Sequence, residues 1–256
     1  MTWLELEGAV NVRDLGGLPT VDGRTTRPGV VIRADNLQDL TPRDVGLLER
    51  LGVRTVLDLR TSVEVDLVGP GPLRRTDVRH LNLDLIPHGF EGRDDDLIEK
   101  AIPDESAGDH AVDHLYFDYV AHAPEEVATA LRTIADPGSG TVVVHCAAGK
   151  DRTGVVCALA LSLVGVRRSA VVADYALTDE RIERVRDRLL ATDLYGEDMR
   201  RRTLDSMRPH AGNMERFLDR IDAAYGGVHG LAMAIGVDEE TVARLSRRLL
   251  GESQVH

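Results

Sequence analysis

The sequence predicts an α/β fold with a mainly parallel central sheet flanked by helices, and three observations carry that prediction. Short β-branched segments alternate with helical ones up to Ile86. A strand, a tight glycine-containing loop and an apolar helix follow one another from Thr141 to Val164. From Ser169 onward no strand signal remains, so the chain closes with a helical C-terminal flank over 169–256.

The expected strands are "GAVNV" (Gly8 to Val12), "GVVIR" (Gly29 to Arg33), "VRTVLDLR" (Val53 to Arg60), "VRHLNLDLI" (Val78 to Ile86) and "TVVVH" (Thr141 to His145). Between the second and third, "TPRDVGLLERLG" reads as a helix with Thr41 as N-cap, Pro42 at the first helical position and Gly52 as its stop. After Ile86 the alternation breaks. "PHGFEGRDDDLIEKAIPDESAGDHAVDH" is polar and acidic, and helical stretches follow around Ala111 to Ala121 and from Pro124 to Ala135. We read 87–136 as a lid insertion that folds over a site, the alternative being a solvated loop without a role. In the C-terminal flank, "DERIERVRDRLL", "NMERFLDRIDAAYG" and "DEETVARLSRRLLG" place apolar residues at helical spacing, the last capped by Asp238 and stopped by Gly251. The flank is expected to pack on the sheet, making 1–256 a single domain.

The 256 residues are 43% hydrophobic, ample for a large core, and a net charge of −12 argues against a nucleic-acid partner. Arg200, Arg201 and Arg202 adjoin Glu197 and Asp198, the pattern of a solvated helix face. The acidic start "MTWLELEGAV" lacks the layout of a secretory signal, and the longest apolar run, Val155 to Val164, is about half a membrane span. The expectation is a cytoplasmic protein, or one exported by a non-classical route, without stable membrane association. Oligomeric state is not legible.

Cys146 and Cys157 are the two cysteines; with helix between them they stand ~16 Å apart, too far for a disulfide. Two free thiols suit a reducing compartment, and Cys157 among Val155, Val156, Ala158 and Leu159 reads as a small buried hydrophobe. His110 and His114 have i, i+4 spacing but no H-E-x-x-H pattern, so neither a metal nor a cofactor is expected.

The chemistry concentrates in "HCAAGKDRTG", His145 to Gly154. A nucleotide-binding P-loop would need glycine at 144 and Ser or Thr at 151, where Val144 and Asp151 stand. What remains is a cysteine at a strand end and an arginine six residues later at a helix N-terminus. The loop between them, Ala147 to Asp151, can curl its amides around one anion, with the helix dipole adding positive potential. Thiols in such surroundings ionise readily, which makes Cys146 the candidate nucleophile toward a phosphate ester and Arg152 the fork that grips its oxygens. Ala147, Ala148, Gly149, Lys150, Asp151, Arg152 and Thr153 form the expected phosphate-binding set. Thr153 is expected to donate a hydrogen bond to the departing thiolate, and His145 to orient the loop rather than transfer protons.

"HCAAGKDRTG" resembles, position for position, the H-C-x-x-G-K-D-R-T-G signature of bacterial atypical tyrosine phosphatases, a group of secreted mycobacterial and listerial enzymes that also resembles phosphoinositide phosphatases. "NVRDLGG" (Asn11 to Gly17), "RAD" (Arg33 to Asp35), "DLR" with Glu64, "VVADYALT" (Val171 to Thr178) and "YGGVHGL...IGV" (Tyr225 to Val237) extend the resemblance along nearly the whole chain. It implies the cysteine-phosphatase fold, Cys146 as nucleophile, Arg152 as clamp, Lys150 and Asp151 as residues that widen the substrate range, and a helical lid after Ile86. The implied substrate is a phosphotyrosine protein, with phosphoinositides or a small phosphorylated metabolite, such as a nucleoside or sugar phosphate, as the alternatives.

The general acid departs from the better-known pattern. Trp3 is the only tryptophan, so no Trp-Pro-Asp loop is present. Asp151 is preferred, with Asp84 in "LDLIP" the other candidate; Asp94, Asp95 and Asp96 read as solvated surface. Arg13 and Asp14 are expected to fix a turn beside the cradle. For Arg60, contact with a phosphate and a structural pair with Glu64 stay open. Two other functions compete: a non-catalytic phosphate-binding module and a rhodanese-like sulfurtransferase.

Overall fold

The computed structural model describes residues 2–86 and 111–251. Among these, β1 (Thr2–Trp3), β2 (Arg13–Asp14), β3 (Val31–Ala34), β4 (Val53–Asp58), β5 (Arg79–Asn82) and β6 (Thr141–His145) form one sheet in the order β1-β2-β3-β6-β4-β5. β3, β6, β4 and β5 run parallel, and the short β1 and β2 close one edge antiparallel.

The segment expected as a strand over Gly8 to Val12 is not one; the strand falls on the next two residues. The backbone amides of Val10 and Asn11 donate instead to Asp35 Oδ1, both at 3.0 Å, and that of Gly8 to Asp44 Oδ2 at 2.8 Å. Side-chain carboxylates satisfy the groups a ladder would have used.

Among the described residues the α-helices are α1 (Pro42–Arg50), α2 (Ser62–Val68), α3 (Ala111–His122), α4 (Pro124–Ala135), α5 (Asp151–Leu163), α6 (Arg168–Ala176), α7 (Ile182–Leu190), α8 (Asp193–Arg201), α9 (Ala211–Tyr225), α10 (Val228–Ala234) and α11 (Glu239–Leu250). α1 starts with a reciprocal cap, Thr41 accepting from the Asp44 amide and Asp44 accepting from the Thr41 amide. The C-terminal flank is helical as expected, with Asp238 capping α11 through the Thr241 amide.

β6 shows how both faces of the sheet are filled. Val142 and Val144 point into the larger core, formed with α3, α4, α5 and the C-terminal helices, while Val143 points into a smaller one with Leu6, Ile32, Leu48 and Val56. α5 is buried on all sides from Asp151 to Leu161. The lid expected over 87–136 lies outside the described residues up to 110. Beyond that, α4 belongs to the core through Val127, Ala128, Leu131 and Ile134.

Register positions the site. Ala34 and Asp58 both pair with His145, and Asp58 with Asn82, so the four parallel strands end at one level. Asp35, Leu59, Leu83 and Cys146 all leave the sheet there, at the C-terminal edge where open α/β sheets bind ligands.

Candidate active site

Cys146 follows β6 directly and is fully buried, as is the whole turn to Thr153. The turn is built by pulling its carbonyls outward. The Asn36 amide donates to Ala147 O at 3.1 Å, Asn11 Nδ2 donates to Ala148 O at 2.9 Å, and Arg33 Nη2 donates to Gly149 O at 2.7 Å. With these carbonyls turned outward, the amides between them turn toward the interior of the curl. Gly149 has φ +66°, and a Cβ there would lie 2.5 Å from Ala34 O, so the turn at this point needs glycine. α5 starts from Lys150, whose side chain makes no capping hydrogen bond to the first turn.

Beneath the loop, Asp174 Oδ1 accepts from Arg13 Nε at 2.8 Å and its Oδ2 from Arg33 Nη1 at 2.5 Å. Burial opposes the charge of this carboxylate, but the two guanidiniums outweigh burial and hold its pKa below the usual carboxylate range. Arg13 Nη1 also donates to Asn11 Oδ1 at 2.7 Å, so "NVRD", "RAD" and "ADY" meet in one buried network that holds the loop from below. Asp14 does fix a turn, accepting from the Gly16 and Gly29 amides at 2.6 Å. Cys157 is buried in the same core, and burial pushes its thiol up to about 12, leaving it neutral.

His145 Nδ1 lies 3.2 Å from Cys146 O, and Nε2 lies 3.6 Å from Asp58 Oδ2. Burial lowers its pKa to about 4 against the pull of Asp58, so the ring is neutral and steadies the loop. Lys150 Nζ donates to Met207 O at 3.0 Å and stands 3.6 Å from Asp151 Oδ1. The side chain is thus directed to the C-terminal flank.

Arg152 is held by Glu64, which the sequence offered as a partner for Arg60 and not for Arg152. Its Nη1 and Nη2 donate to Glu64 Oε2 at 2.6 Å and Oε1 at 3.0 Å, and Nη1 donates to Leu59 O at 3.1 Å. Burial raises the Glu64 pKa, but the charge and hydrogen bonds of Arg152, with those of Tyr195 and Thr61, bring it net below its ordinary value. The pairing of Arg60 with Glu64 is corrected. Arg60 grips Asp58 instead, Nε to Oδ1 at 2.8 Å and Nη2 to Oδ2 at 2.5 Å, because the two side chains leave the same strand end two residues apart. Glu64 sits at the third position of α2, where it also accepts from the Thr61 amide at 2.7 Å. "TSVE" is a readable capping box and could have placed α2 from the sequence. No local signal pointed to Tyr195, whose hydroxyl donates to Glu64 Oε1 at 2.6 Å.

The two acid candidates sit differently. Asp151 is sealed in the first turn of α5 and accepts from Tyr116 of α3 at 2.5 Å; Tyr116 in turn pairs with the Tyr175 hydroxyl at 2.7 Å. Asp84 is half-buried just past β5, accepting from the Ile86 amide at 2.8 Å and the Ser62 amide at 3.2 Å. Burial raises the Asp84 pKa more than these hydrogen bonds and Arg152 lower it. Thr153 is buried in the same turn as Arg152, its hydroxyl without a hydrogen-bond partner among the described residues.

His114 contacts Arg220 on the surface, and His110 and Asp94 to Asp96 lie outside the described residues. Among the described residues no three His, Cys, Asp or Glu side chains are grouped to hold a metal ion, and no helix is long and apolar enough to cross a membrane. Arg201 pairs with Glu197 on the exposed face of α8, whereas Arg202, just past its end, pairs with Asp198 and has its side chain largely buried, so the solvated face expected over Arg200 to Arg202 does not extend to Arg202.

Residues 4–251 match the tyrosine phosphatase family. The triple specificity protein phosphatase PtpB of Mycobacterium tuberculosis is 29% identical over 96% of this chain and 99% of its own length. A tyrosine-protein phosphatase of Nostoc commune is 29% identical over 85% of this chain and 73% of its own. The crystal structure of P. aeruginosa TpbA aligns with 88% of this chain and 91% of that one, at 18% identity and a TM-score of 0.40. The match along nearly the whole chain, together with a parallel sheet that delivers a cysteine into an amide-lined turn, gives one conclusion: the chain belongs to the tyrosine phosphatase family and is a phosphatase of that type.

Proposed function

We propose that the chain hydrolyses phosphate monoesters through a cysteinyl-phosphate on Cys146. The observation that carries this reading is the Cys146–Arg152 turn with Arg152 held in plane by both oxygens of Glu64. The phosphoryl group sits in the amide curl, and Arg152 binds two of its oxygens. Cys146 Sγ attacks phosphorus as the ester P–O bond breaks, and the leaving oxygen takes a proton from Asp84. Water then attacks the phosphorus, Asp84 takes back a proton, and the S–P bond breaks with Thr153 donating to the departing thiolate.

Asp84 is favoured over Asp151 as the acid. It is half-buried with a raised pKa, so it holds a proton more readily than an ordinary carboxylate, whereas Asp151 is sealed and takes the Tyr116 hydroxyl. Asp151, Lys150 and His145 then position the loop. The flank over 169–256 is part of the same catalytic domain, since Asp174, Tyr195 and Met207 all support the loop. Phosphotyrosine protein is the proposed substrate, supported by the family and by the names of the relatives. The net charge of −12 speaks against nucleic acid as a partner.

The test is hydrolysis of p-nitrophenyl phosphate with a chelator present, followed by a panel of phosphotyrosine peptides, inositol phospholipids and nucleotides. Turnover unaffected by chelator and the highest kcat/KM on phosphopeptides are expected. Tight phosphate binding without turnover would instead mark a binding module, and preference for an inositol lipid or a nucleotide would reassign the substrate.

A further inference from the structure

The Glu64 carboxylate is used to capacity. Oε1 accepts from Arg152 Nη2 at 3.0 Å and Tyr195 OH at 2.6 Å; Oε2 accepts from Arg152 Nη1 at 2.6 Å and the Thr61 amide at 2.7 Å. Three parts of the molecule therefore meet on one side chain: the catalytic turn through Arg152, the N-terminus of α2 through Thr61, and α8 through Tyr195. Tyr195 and Arg152 share Oε1, so a rotation of the carboxylate that released one would disturb the other.

Tyr195 comes from a helix that is otherwise largely on the surface. Along α8 the buried residues are Tyr195, Gly196 and Met199, while Asp193, Glu197, Arg200 and Arg201 are exposed. A tyrosine sunk completely from such a helix, with its one polar atom on the carboxylate that holds the loop arginine, is placed for more than packing. Its burial, reinforced by the neighbouring Glu64, keeps the phenol protonated and therefore a donor. Thr61 fixes Glu64 along α2 from one side, and Tyr195 fixes the tilt of the carboxylate plane from the other. That plane sets the plane of the Arg152 guanidinium, because two parallel N–H···O bonds transmit orientation as well as charge.

We propose that Tyr195 is a positioning residue for the phosphate clamp, acting through Glu64 so that the docking of α8 aligns Arg152 with the phosphoryl oxygens. The proposal rests on the reading of Arg152 as that clamp. It makes the C-terminal flank a contributor to transition-state binding: Tyr195 touches no reacting atom and works through the hydrogen bond it gives to Glu64.

The experiment is a double-mutant cycle on the full chain with Tyr195→Phe, Glu64→Gln and the pair, reading kcat/KM for p-nitrophenyl phosphate and competitive inhibition by inorganic phosphate. Tyr195→Phe keeps the ring and removes only the hydroxyl. It is expected to weaken phosphate inhibition and lower kcat/KM about tenfold, the size of a hydrogen bond to a charged group, and to have less than a threefold further effect in the Glu64→Gln background. Unchanged phosphate inhibition in Tyr195→Phe, or a loss of equal size in both backgrounds, would overturn the proposal. Should Glu64→Gln fail to fold, Tyr195→Phe alone decides, because a merely structural loss lowers melting temperature and leaves phosphate inhibition of the folded fraction unchanged. Arg152→Lys is measured alongside. Wild-type phosphate inhibition in that variant would defeat the clamp itself, an outcome separate from any result on Tyr195.

Discussion

Gly149 lies against Ala34 so closely that a Cβ on it would stand 2.5 Å from the Ala34 carbonyl oxygen. Position 149 also has φ +66°, a conformation that costs an alanine. Gly149→Ala is therefore expected to cost about 2 kcal/mol or more and to remove most activity, because relief of the clash must move the turn. Chemical denaturation and kcat/KM on the same preparation check this. An active variant of wild-type stability would mean the turn is not held against β3.

Asp174 carries two buried arginines on one carboxylate. Asp174→Asn keeps the shape and removes the charge, leaving both guanidiniums buried without an anion. The expected loss is about 3–5 kcal/mol, the scale found when one partner of a buried ion pair is removed. Equilibrium denaturation in urea measures it, and a loss below about 1 kcal/mol would contradict the network's role.

The choice of general acid is tested by leaving-group dependence. Asp84→Asn should lower kcat/KM about a hundredfold or more for phosphotyrosine and far less for p-nitrophenyl phosphate, whose leaving group departs without a proton. Because burial raises the Asp84 pKa, wild-type activity on phosphotyrosine should fall as pH rises through that raised value, above the ordinary carboxylate range, and Asp84→Asn should lose this limb. Asp151→Asn should show neither effect. The reverse pattern would return the role to Asp151, the residue preferred from the sequence.

His145 gives a prediction on stability against pH. Its folded-state pKa of about 4 lies below the free value of about 6.5, so the unfolded chain takes the proton first. Stability is unaffected by this group above about pH 6.5 and declines as pH falls from there toward 4, by roughly 3 kcal/mol in all. His145→Gln should flatten that slope. Parallel pH profiles for the two proteins, measured by urea denaturation, would show that His145 is not held neutral.

Much of the fold could be read because its signals are local. β6, α1 and α11 follow from β-branched runs, N-caps and glycine stops that each act within a few residues. The first strand was misplaced by partners far along the chain: Asp35 and Asp44 capture the amides of Gly8, Val10 and Asn11. Cys146 and Arg152 could be named as candidates because the loop's residues are consecutive in the sequence. Their supports could not, since Glu64 reaches Arg152 across 88 residues and Tyr195 reaches Glu64 across 131. Arg60 illustrates the limit: Asp58 and Glu64 are both near it in sequence, and only the geometry of the strand end assigns it to Asp58.

Covalent catalysis by Cys146 leaves a phosphoenzyme that acid-quenching during turnover of a phosphotyrosine substrate would trap. Mass spectrometry of the digested protein should find one phosphoryl group on the peptide that contains Cys146, and Cys146→Ser should bind inorganic phosphate yet show neither the adduct nor turnover. Phosphate on a different residue, or appreciable turnover by Cys146→Ser, would rule out Cys146 as the nucleophile.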